Sequence, residues 1–273
     1  SSTLVISAFL GLTTLAVYQN YYYLISSAIG FVTVVFTSCT AGIGNSIITE
    51  TGEKNYGDLK SFTLIIAWIA GFCSCCFLCL SQAFMKLWVG EGLMFGFSAV
   101  ICFCIYFFIY EINNLLMTYK DAAGIWHEDR FRPLSTALTN LILSIITVNF
   151  WGIYGVLISG VVSMLAVGMP WLLHNLFAVL FKRNPLDYIR RLLKYTISAV
   201  FVCIVTFFIC RRLPEEGITW FIIKGAVCCI VSNLLFLIIY SRMEEFSGIK
   251  KLAAKIFEKV HIKIASSVKS ERG

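Results

Sequence analysis

The chain has 273 residues, of which 59% are hydrophobic and only 14% are charged. Because a typical soluble domain carries roughly 25% charged residues, this composition excludes most classes of soluble protein and predicts a polytopic membrane protein. The 22 Lys and Arg residues against 15 Asp and Glu residues give a net charge of +7. In a membrane protein the placement of such charges matters more than their sum, and we expect no nucleic-acid partner.

Long apolar runs follow one another along the chain up to residue 240. They are too long and too continuously apolar for the alternating, roughly ten-residue strands of a membrane barrel. In hydrocarbon, a helix forms all of its backbone hydrogen bonds within itself. The sequence therefore predicts an all-α polytopic membrane helix bundle of about eight transmembrane helices. The predicted spans are 4–18, 22–48, 62–88, 93–117, 134–148, 153–180, 195–210 and 218–240.

The first of these runs is short. The chain begins at Ser1 without an initiator Met, and residues 4–18 are fewer than the roughly 20 that cross a bilayer. No basic segment precedes the run, so a secretory signal peptide is not indicated. We therefore expect this sequence to be the C-terminal portion of a longer protein, with its first span truncated.

Eleven cysteines lie within or at the edges of the apolar runs, where a thiol behaves as a small hydrophobic group. Four of them, Cys73, Cys75, Cys76 and Cys79, are clustered in the third span. A zinc site of the CxxC…CxxC kind has a second ligand pair in a polar loop, and no His lies near this cluster. We therefore expect neither a metal site nor a cofactor.

Charged groups inside a span are costly and are the first candidates for function. Glu111 is the one that stands out, late in the fourth span and close to Asn113 and Asn114. Glu111 and Asn114 are three residues apart and so share a helix face. The sequence predicts that these three residues line a substrate pathway; alternatively, Glu111 reaches the membrane interface.

The loop at residues 118–133 is denser in charge than a connector needs. We expect Asp121, Glu128 and Asp129 to pair with basic residues and so brace the cytoplasmic ends of two helices as a gate. The basic partners are Lys120, Arg130 and Arg132, and Pro133 begins the next helix. No P-loop, HExxH or Gly-x-Ser-x-Gly motif is present, so we do not expect an enzyme.

Pro170 interrupts the sixth span. A proline inside a helix removes one backbone hydrogen bond and kinks the helix. This residue is predicted to act as a hinge, although such kinks also occur in static bundles.

Basic residues are distributed asymmetrically between the connecting segments. Eighteen of the 22 lie in alternate segments, which the positive-inside rule places in the cytoplasm together with the C-terminus. The opposite links hold Arg211 and Arg212, with Lys86 and Lys224 near span ends. We therefore expect a multi-pass protein of the cytoplasmic membrane. The eighteen are Lys54, Lys60, Lys120, Arg130, Arg132, Lys182, Arg183, Arg190, Arg191, Lys194, Arg242, Lys250, Lys251, Lys255, Lys259, Lys263, Lys269 and Arg272.

Two segments combine this charge with apolar residues at helical spacing. Residues 186–194 and the tail at residues 241–273 each present Leu or Ile residues opposite Lys and Arg. Such segments are typical of amphipathic helices that lie on an anionic membrane surface. Membrane lipids are therefore expected partners.

Four stretches resemble the C-terminal half of polysaccharide flippases of the Wzx type, within the multidrug/oligosaccharidyl-lipid/polysaccharide exporter superfamily. They are residues 4–12 with 18–21, residues 120–134, residues 140–145 and residues 151–158. The chain has Ser2, Asn113 and Leu115 where those flippases often have an acidic residue, a basic residue and a proline.

The resemblance implies three parts: a second six-helix bundle at 1–180, a linker with two extra helices at 181–240, and a cytoplasmic tail at 241–273. It also implies translocation of undecaprenyl-diphosphate-linked oligosaccharide repeat units, coupled to H⁺ or Na⁺. A drug or metabolite antiporter of the same superfamily is one alternative. A membrane scaffold or degenerate half-transporter that moves no substrate is the other.

Overall fold

The computed structural model describes residues 2–214 and 217–249. Within those residues the chain is helical and contains no strand, which confirms the all-α class. Seven helices of this described part, α2 to α8, are long and apolar enough to cross a membrane. The helices are α1 Ser2–Phe9, α2 Gly11–Thr49, α3 Gly52–Trp88, α4 Phe97–Ala122, α5 Arg132–Trp151, α6 Ile153–Phe181, α7 Leu186–Cys210 and α8 Ile218–Tyr240.

The beginning of the chain differs from the prediction. The sequence predicts a first span at 4–18 that ends at Gln19 and Asn20, but α2 runs through both residues without interruption. The break lies at Gly11 instead, where φ is +84°, a conformation that glycine adopts without steric cost. Two polar residues with ordinary helical geometry do not end a helix, whereas this backbone angle does. The predicted 4–18 span is therefore divided between α1 and α2.

Local signals in the sequence set several other helix ends. The Thr51 hydroxyl accepts a hydrogen bond from the Lys54 backbone N–H at 3.3 Å and so caps the start of α3. Pro133 lies in the first turn of α5, as predicted. Between α5 and α6 the chain turns at Gly152, where φ is +55°. The Thr147 and Ser159 hydroxyls are 3.0 Å apart and join the two helices beyond that turn.

Two helix groups share α3 and α4 as their centre. On one side, α4 packs against α2 and α6, while α1 contacts α2, α5 and α6. On the other side, α3 packs against both α7 and α8. The long apolar α7 and α8 therefore form a pair that is attached to the bundle chiefly through α3.

The basic segments meet at one end of the bundle, which we call the basic end. There Arg183, after α6, forms an ion pair with Glu53 of α3. The Tyr56 hydroxyl donates to Asp187 of α7 at 2.9 Å, and Arg191 forms an ion pair with Glu245. The described parts of the four basic segments are thus gathered on one face of the molecule, as their alternation predicts.

Residues 186–194 do not form a separate surface helix. They are the first turns of the continuous, 25-residue α7, and Asp187 and Arg191 of this stretch pair with other parts of the protein. The prediction of a separate interfacial helix there is wrong, because the segment continues without a break into the membrane-spanning part of α7. In the predicted tail, residues 245–249 are helical, and residues from 250 onward lie outside the described part.

Candidate functional site

A cavity of about 290 Å³ lies inside the helix group formed by α1, α2, α4, α5 and α6. None of the described side chains that line it carries a formal charge. Tyrosine, amide and hydroxyl groups share its wall with apolar side chains. The lining residues are Ser2, Thr3, Tyr18, Gln19, Tyr22, Phe103, Tyr106, Asn140, Val156, Leu157 and Gly160.

Aromatic rings dominate one side of this cavity. Tyr18 and Tyr22 are four residues apart on α2 and therefore stack, with ring centroids 5.7 Å apart. Phe103 of α4 lies 5.7 Å from the ring of Tyr18. Gly160 of α6 faces Tyr106 of α4, and a Cβ there would lie in ordinary van der Waals contact with the tyrosine ring, at 3.7 Å. The rings of α2 and α4 and this position on α6 thus close one side of the cavity.

Amide groups supply the polar part of the wall. Gln19 projects from α2, and the Asn140 side-chain oxygen accepts a hydrogen bond from the Ser144 hydroxyl at 3.2 Å. Amides both donate and accept hydrogen bonds, and phenol rings add apolar faces with a polar edge. Such a wall suits a ligand rich in hydroxyl groups and does not require the ligand to be charged.

The cavity residues are not among those predicted to form a site. The sequence places Gln19 in a connecting link, and the tyrosines are unremarkable in an apolar span. The signal present in the sequence is a set of polar residues in neighbouring spans, together with two tyrosines that are four residues apart in one of them. It indicates a shared cavity only when the helix packing is known.

The predicted pathway residues lie elsewhere. Glu111 is fully buried. It lies on the same face of α4 as Phe107, and the ring centroid of Phe107 is 5.4 Å from that of Phe77 on α3. Neither carboxylate oxygen of Glu111 accepts a hydrogen bond of good geometry from the described residues. This burial requires an explanation, because unsatisfied buried polar groups are rare.

Asn113 and Asn114 do not join Glu111 around the cavity. Asn113 is two residues from Glu111 and therefore points away from it by roughly 200° around the helix. Its side chain is buried, and its amide oxygen accepts no hydrogen bond from the described residues. Asn114, one turn beyond Glu111, shares that residue's side of α4. None of the three is among the cavity-lining residues, and their role in a pathway stays a prediction.

A buried charge network lies at the basic end, between α4 and α5. Lys120 Nζ is 2.5 Å from Asp121 Oδ1, 3.6 Å from Asp129 Oδ2 and 3.9 Å from the centroid of the Trp126 ring. Arg132 donates to both carboxylate oxygens of Asp129, at 2.7 and 2.9 Å. These ion pairs are as predicted, and the two parallel hydrogen bonds between Arg132 and Asp129 make that pair strong and specific.

The rest of the loop is bonded differently from the prediction. Arg130 is exposed; its guanidinium is 3.1 Å from the imidazole of His127 and lies over the Phe131 ring. Glu128 contributes its backbone carbonyl, which accepts from Trp171 Nε1 of α6 at 3.2 Å. In the described chain, neither Arg130 nor Glu128 takes part in the buried charge network. Both side chains are exposed to water, so they do not need an ion pair to offset a loss of solvation.

Pro170 lies within α6, which continues to Phe181 as one helix. A wide π-helical stretch, Met164–Gly168, comes immediately before it, and the Met169 N–H donates to the Met164 carbonyl. A π-helical turn of this kind accommodates the hydrogen bond that is lost because proline has no backbone N–H. The backbone irregularity is therefore where the sequence predicts it, and movement at this point stays a prediction.

The cysteines of α3 meet thiols from two other helices. Cys75 Sγ lies 3.4 Å from Cys203 Sγ of α7, and Cys76 Sγ lies 4.0 Å from Cys228 Sγ of α8. The sequence reveals the cluster within α3 but not which thiols of α7 and α8 lie beside it. In the described chain no group of three or more candidate ligands is arranged to hold a metal ion, and the thiols pack as small apolar groups.

Comparison with known proteins gives no match. No protein-family model, curated protein or solved structure is similar to this chain. What the chain does is therefore inferred from its residues and their geometry.

Proposed function

We propose that this chain is the cavity-bearing bundle of a flippase that moves undecaprenyl-diphosphate-linked oligosaccharides across the cytoplasmic membrane. The observation that carries the proposal is the uncharged cavity of tyrosine and amide side chains within a bundle of membrane-spanning helices. Sugars offer hydroxyl groups and apolar ring faces, which such side chains recognise by hydrogen bonding and stacking. The sequence resemblance to Wzx-type flippases favours the same substrate class.

The orientation follows from the gathered basic segments. By the positive-inside rule the basic end faces the cytoplasm, and the C-terminus, which follows α8 at that end, is cytoplasmic too. The cavity would therefore receive its glycan from the cytoplasmic side and release it on the other.

The buried charge network would serve as the cytoplasmic gate. It joins α4 to α5, and the Asn175 amide of α6 lies 3.5 Å from Asp129 of the same network. Those three helices also line the cavity. Alternating access requires one end of a bundle to stay closed while the other opens, and a salt-bridge cluster at the helix ends supplies that closure.

The test is a flipping assay in cells that depend on the protein carrying this chain. Asn140→Leu should reduce export of the polysaccharide about tenfold, because an amide of the cavity wall is lost. Asn149→Leu, on the same helix but exposed and outside the cavity, is the matched control and should export normally. Normal export by both variants, at normal protein levels, would exclude the cavity as the glycan site.

The same variants separate the flippase from the drug antiporter. A flippase variant should accumulate lipid-linked repeat units while resistance to cationic dyes is unchanged. If Asn140→Leu instead lowers dye efflux and leaves polysaccharide export intact, the antiporter is the correct function. A scaffold would lose neither activity.

A further inference from the structure

An apolar groove lies on a different face of α4 from the polar cavity. It has a volume of about 400 Å³ and is walled by α4 and α7, with α3 as its floor. Ile105 forms part of one wall, and Val200 and Ile204 form part of the other. Because all three helices are long and apolar enough to cross a membrane, we expect the groove to open to lipid rather than to water.

Four phenylalanine side chains contribute to these walls. Phe97 of α4 and Phe207 of α7 stack with their ring centroids 4.9 Å apart, and Phe108 and Phe208 are the other two. Aromatic rings favour stacked or edge contacts with another flat ring. The walls therefore suit a flat, lipid-soluble ring compound.

Two thiols meet at this groove. Cys203 of α7 lines it and is partly exposed, while Cys75 of α3 lies beside Cys203 and is buried. Their sulfur atoms are 3.4 Å apart, so only a small movement separates them from the bond length of a disulfide, about 2.0 Å. An accessible thiol with a second thiol poised next to it is the arrangement that oxidation converts into a disulfide.

A serine hydroxyl at the groove lacks a partner. Ser74 of α3 lines the groove and is 5% exposed, and its hydroxyl forms no hydrogen bond with the described residues. Buried polar groups without a partner are rare, so this hydroxyl indicates a ligand that accepts a hydrogen bond. The acyl chain of a lipid offers no acceptor, whereas a ring that carries carbonyl groups does.

We propose that the groove binds a membrane-soluble quinone, which oxidises Cys75 and Cys203 to a disulfide. The ring would lie against the phenylalanine side chains, with one carbonyl oxygen accepting a hydrogen bond from Ser74. Two S–H bonds break and one S–S bond forms. The two protons and two electrons pass to the quinone, whose carbonyl oxygens become the hydroxyl groups of a hydroquinone.

The depth of the thiols favours an oxidant that is dissolved in the membrane. Cys203 lies seven residues before the end of α7, which corresponds to about 10 Å of helix within the span. A quinone reaches this depth from the bilayer, and the disulfide that it forms would fix α7 to α3. The site is separate from the tyrosine cavity and does not depend on the proposed function.

The test uses the full chain, reduced and kept free of oxygen, in nanodiscs with decylubiquinone as the probe. Hydroquinone formation is followed by ultraviolet absorbance, and linked peptides are identified by mass spectrometry after the free thiols are alkylated. We expect one hydroquinone and one Cys75–Cys203 disulfide per chain, at a rate that saturates with quinone concentration. A rate that rises linearly, or no oxidation at all, would overturn the site.

The second thiol pair is an internal control. Cys76 Sγ and Cys228 Sγ are 4.0 Å apart, but neither residue lines the groove. This pair should stay reduced, so Cys228→Ala should react normally while Cys75→Ala should reduce no quinone. Equal oxidation of both pairs would mean that quinone reacts with these thiols by random collision, and the proposal would be wrong.

Two further variants test the groove itself. Val200→Trp fills it from an exposed wall position and should slow oxidation at least about tenfold, whereas Val162→Trp, on an exposed surface of α6 outside the groove, should react normally. Ser74→Ala should raise the quinone concentration for half-maximal rate about fivefold, because one hydrogen bond is lost. If Val200→Trp and Ser74→Ala react as fast as the unmodified protein, ordinary lipid fills the groove and the quinone site is excluded.

Discussion

Asp129 is the residue on which the loop between α4 and α5 depends. Its carboxylate receives both Arg132 hydrogen bonds and lies 3.6 Å from the Lys120 ammonium, and all three side chains are buried. Removing one member of a buried ion cluster leaves the others without compensation, which costs more than the cluster contributes as a whole. The network is therefore sensitive to single changes of charge.

Asp129→Asn should lower the stability of the protein by about 3 kcal/mol, because two buried cations would lose their shared carboxylate. The measurement is thermal unfolding in detergent, followed by fluorescence. Glu128→Gln, at the exposed neighbour, is the control and should change stability by less than about 0.5 kcal/mol. Equal unfolding temperatures for the two variants would show that the network does not hold the loop.

Glu111 presents the opposite situation, a buried carboxyl that accepts no hydrogen bond of good geometry from the described chain. Glu111→Gln keeps its size and removes its ability to ionise, so the fold should be retained. If this residue couples transport to an ion gradient, as its burial in a span favours, the variant should no longer respond to a collapse of that gradient. A variant that is folded, active and still gradient-dependent would exclude Glu111 from coupling.

At the scale of helices, α3 is the element that attaches α7 and α8 to the bundle. Gly71 allows the ring of Phe236 on α8 to lie directly against its backbone, a position that a Cβ would occupy. On α3 the Trp68 indole N–H donates to Asn233 at 3.0 Å. Small residues permit close helix approach in membranes and polar pairs add specificity, so this interface is built for fixed packing.

The packing of α3 against α7 can be tested by cross-linking. In a chain whose other cysteines are replaced by Ala, Cys75 and Cys203 should form a disulfide on treatment with copper phenanthroline, because their sulfur atoms are 3.4 Å apart. Cleavage between α6 and α7 followed by non-reducing electrophoresis detects the bond. A chain that keeps Cys39 and Cys203 instead is the control, since Cys39 lies on α2. Failure of the Cys75 chain to cross-link would contradict this packing.

Helix boundaries show what sequence could and could not predict. Pro133 marks the first turn of α5, as predicted, whereas α3 begins at Gly52, after the Thr51 cap, and not at residue 62 where the apolar run begins. The break at Gly11 is not predicted, because a glycine in an apolar run is usually tolerated and only its backbone angle distinguishes a break. The polarity of Gln19 predicts a connecting link, but the cavity provides a polar environment for this side chain within the helix.

At the scale of the molecule, the two parts of the candidate site differ in whether they could be predicted from the sequence. The buried charge network could be predicted because its members lie within thirteen residues of one another in the chain. The tyrosine cavity could not, because its wall is assembled from five helices between Ser2 and Gly160. No local pattern specifies which faces of distant helices will meet. The class of fold, in contrast, is set by hydrophobic length alone.

The gathering of basic segments at one end predicts how the whole molecule is oriented. In a chain without cysteines, Gly92→Cys should react with a membrane-impermeant maleimide in intact cells, because residue 92 lies at the non-basic end. Asn184→Cys, exposed at the basic end, should react only after the cells are permeabilised. The reverse pattern of labelling would mean that the charge distribution does not determine the orientation of this protein.

The lengths of α2 and α3 have a mechanical consequence. Helices of 39 and 37 residues measure about 58 and 56 Å, almost twice the thickness of the hydrocarbon core. Their shared tip carries Glu50, Lys54 and Asp58, and the lysine lies 3.6 and 3.3 Å from the two carboxylates. These charges belong in water, and their neighbour Glu53 pairs with Arg183 after α6, so the tip lies in the aqueous phase level with the other basic segments. The surplus length of the two helices is therefore taken up by tilt within the bilayer and by turns in water at both ends.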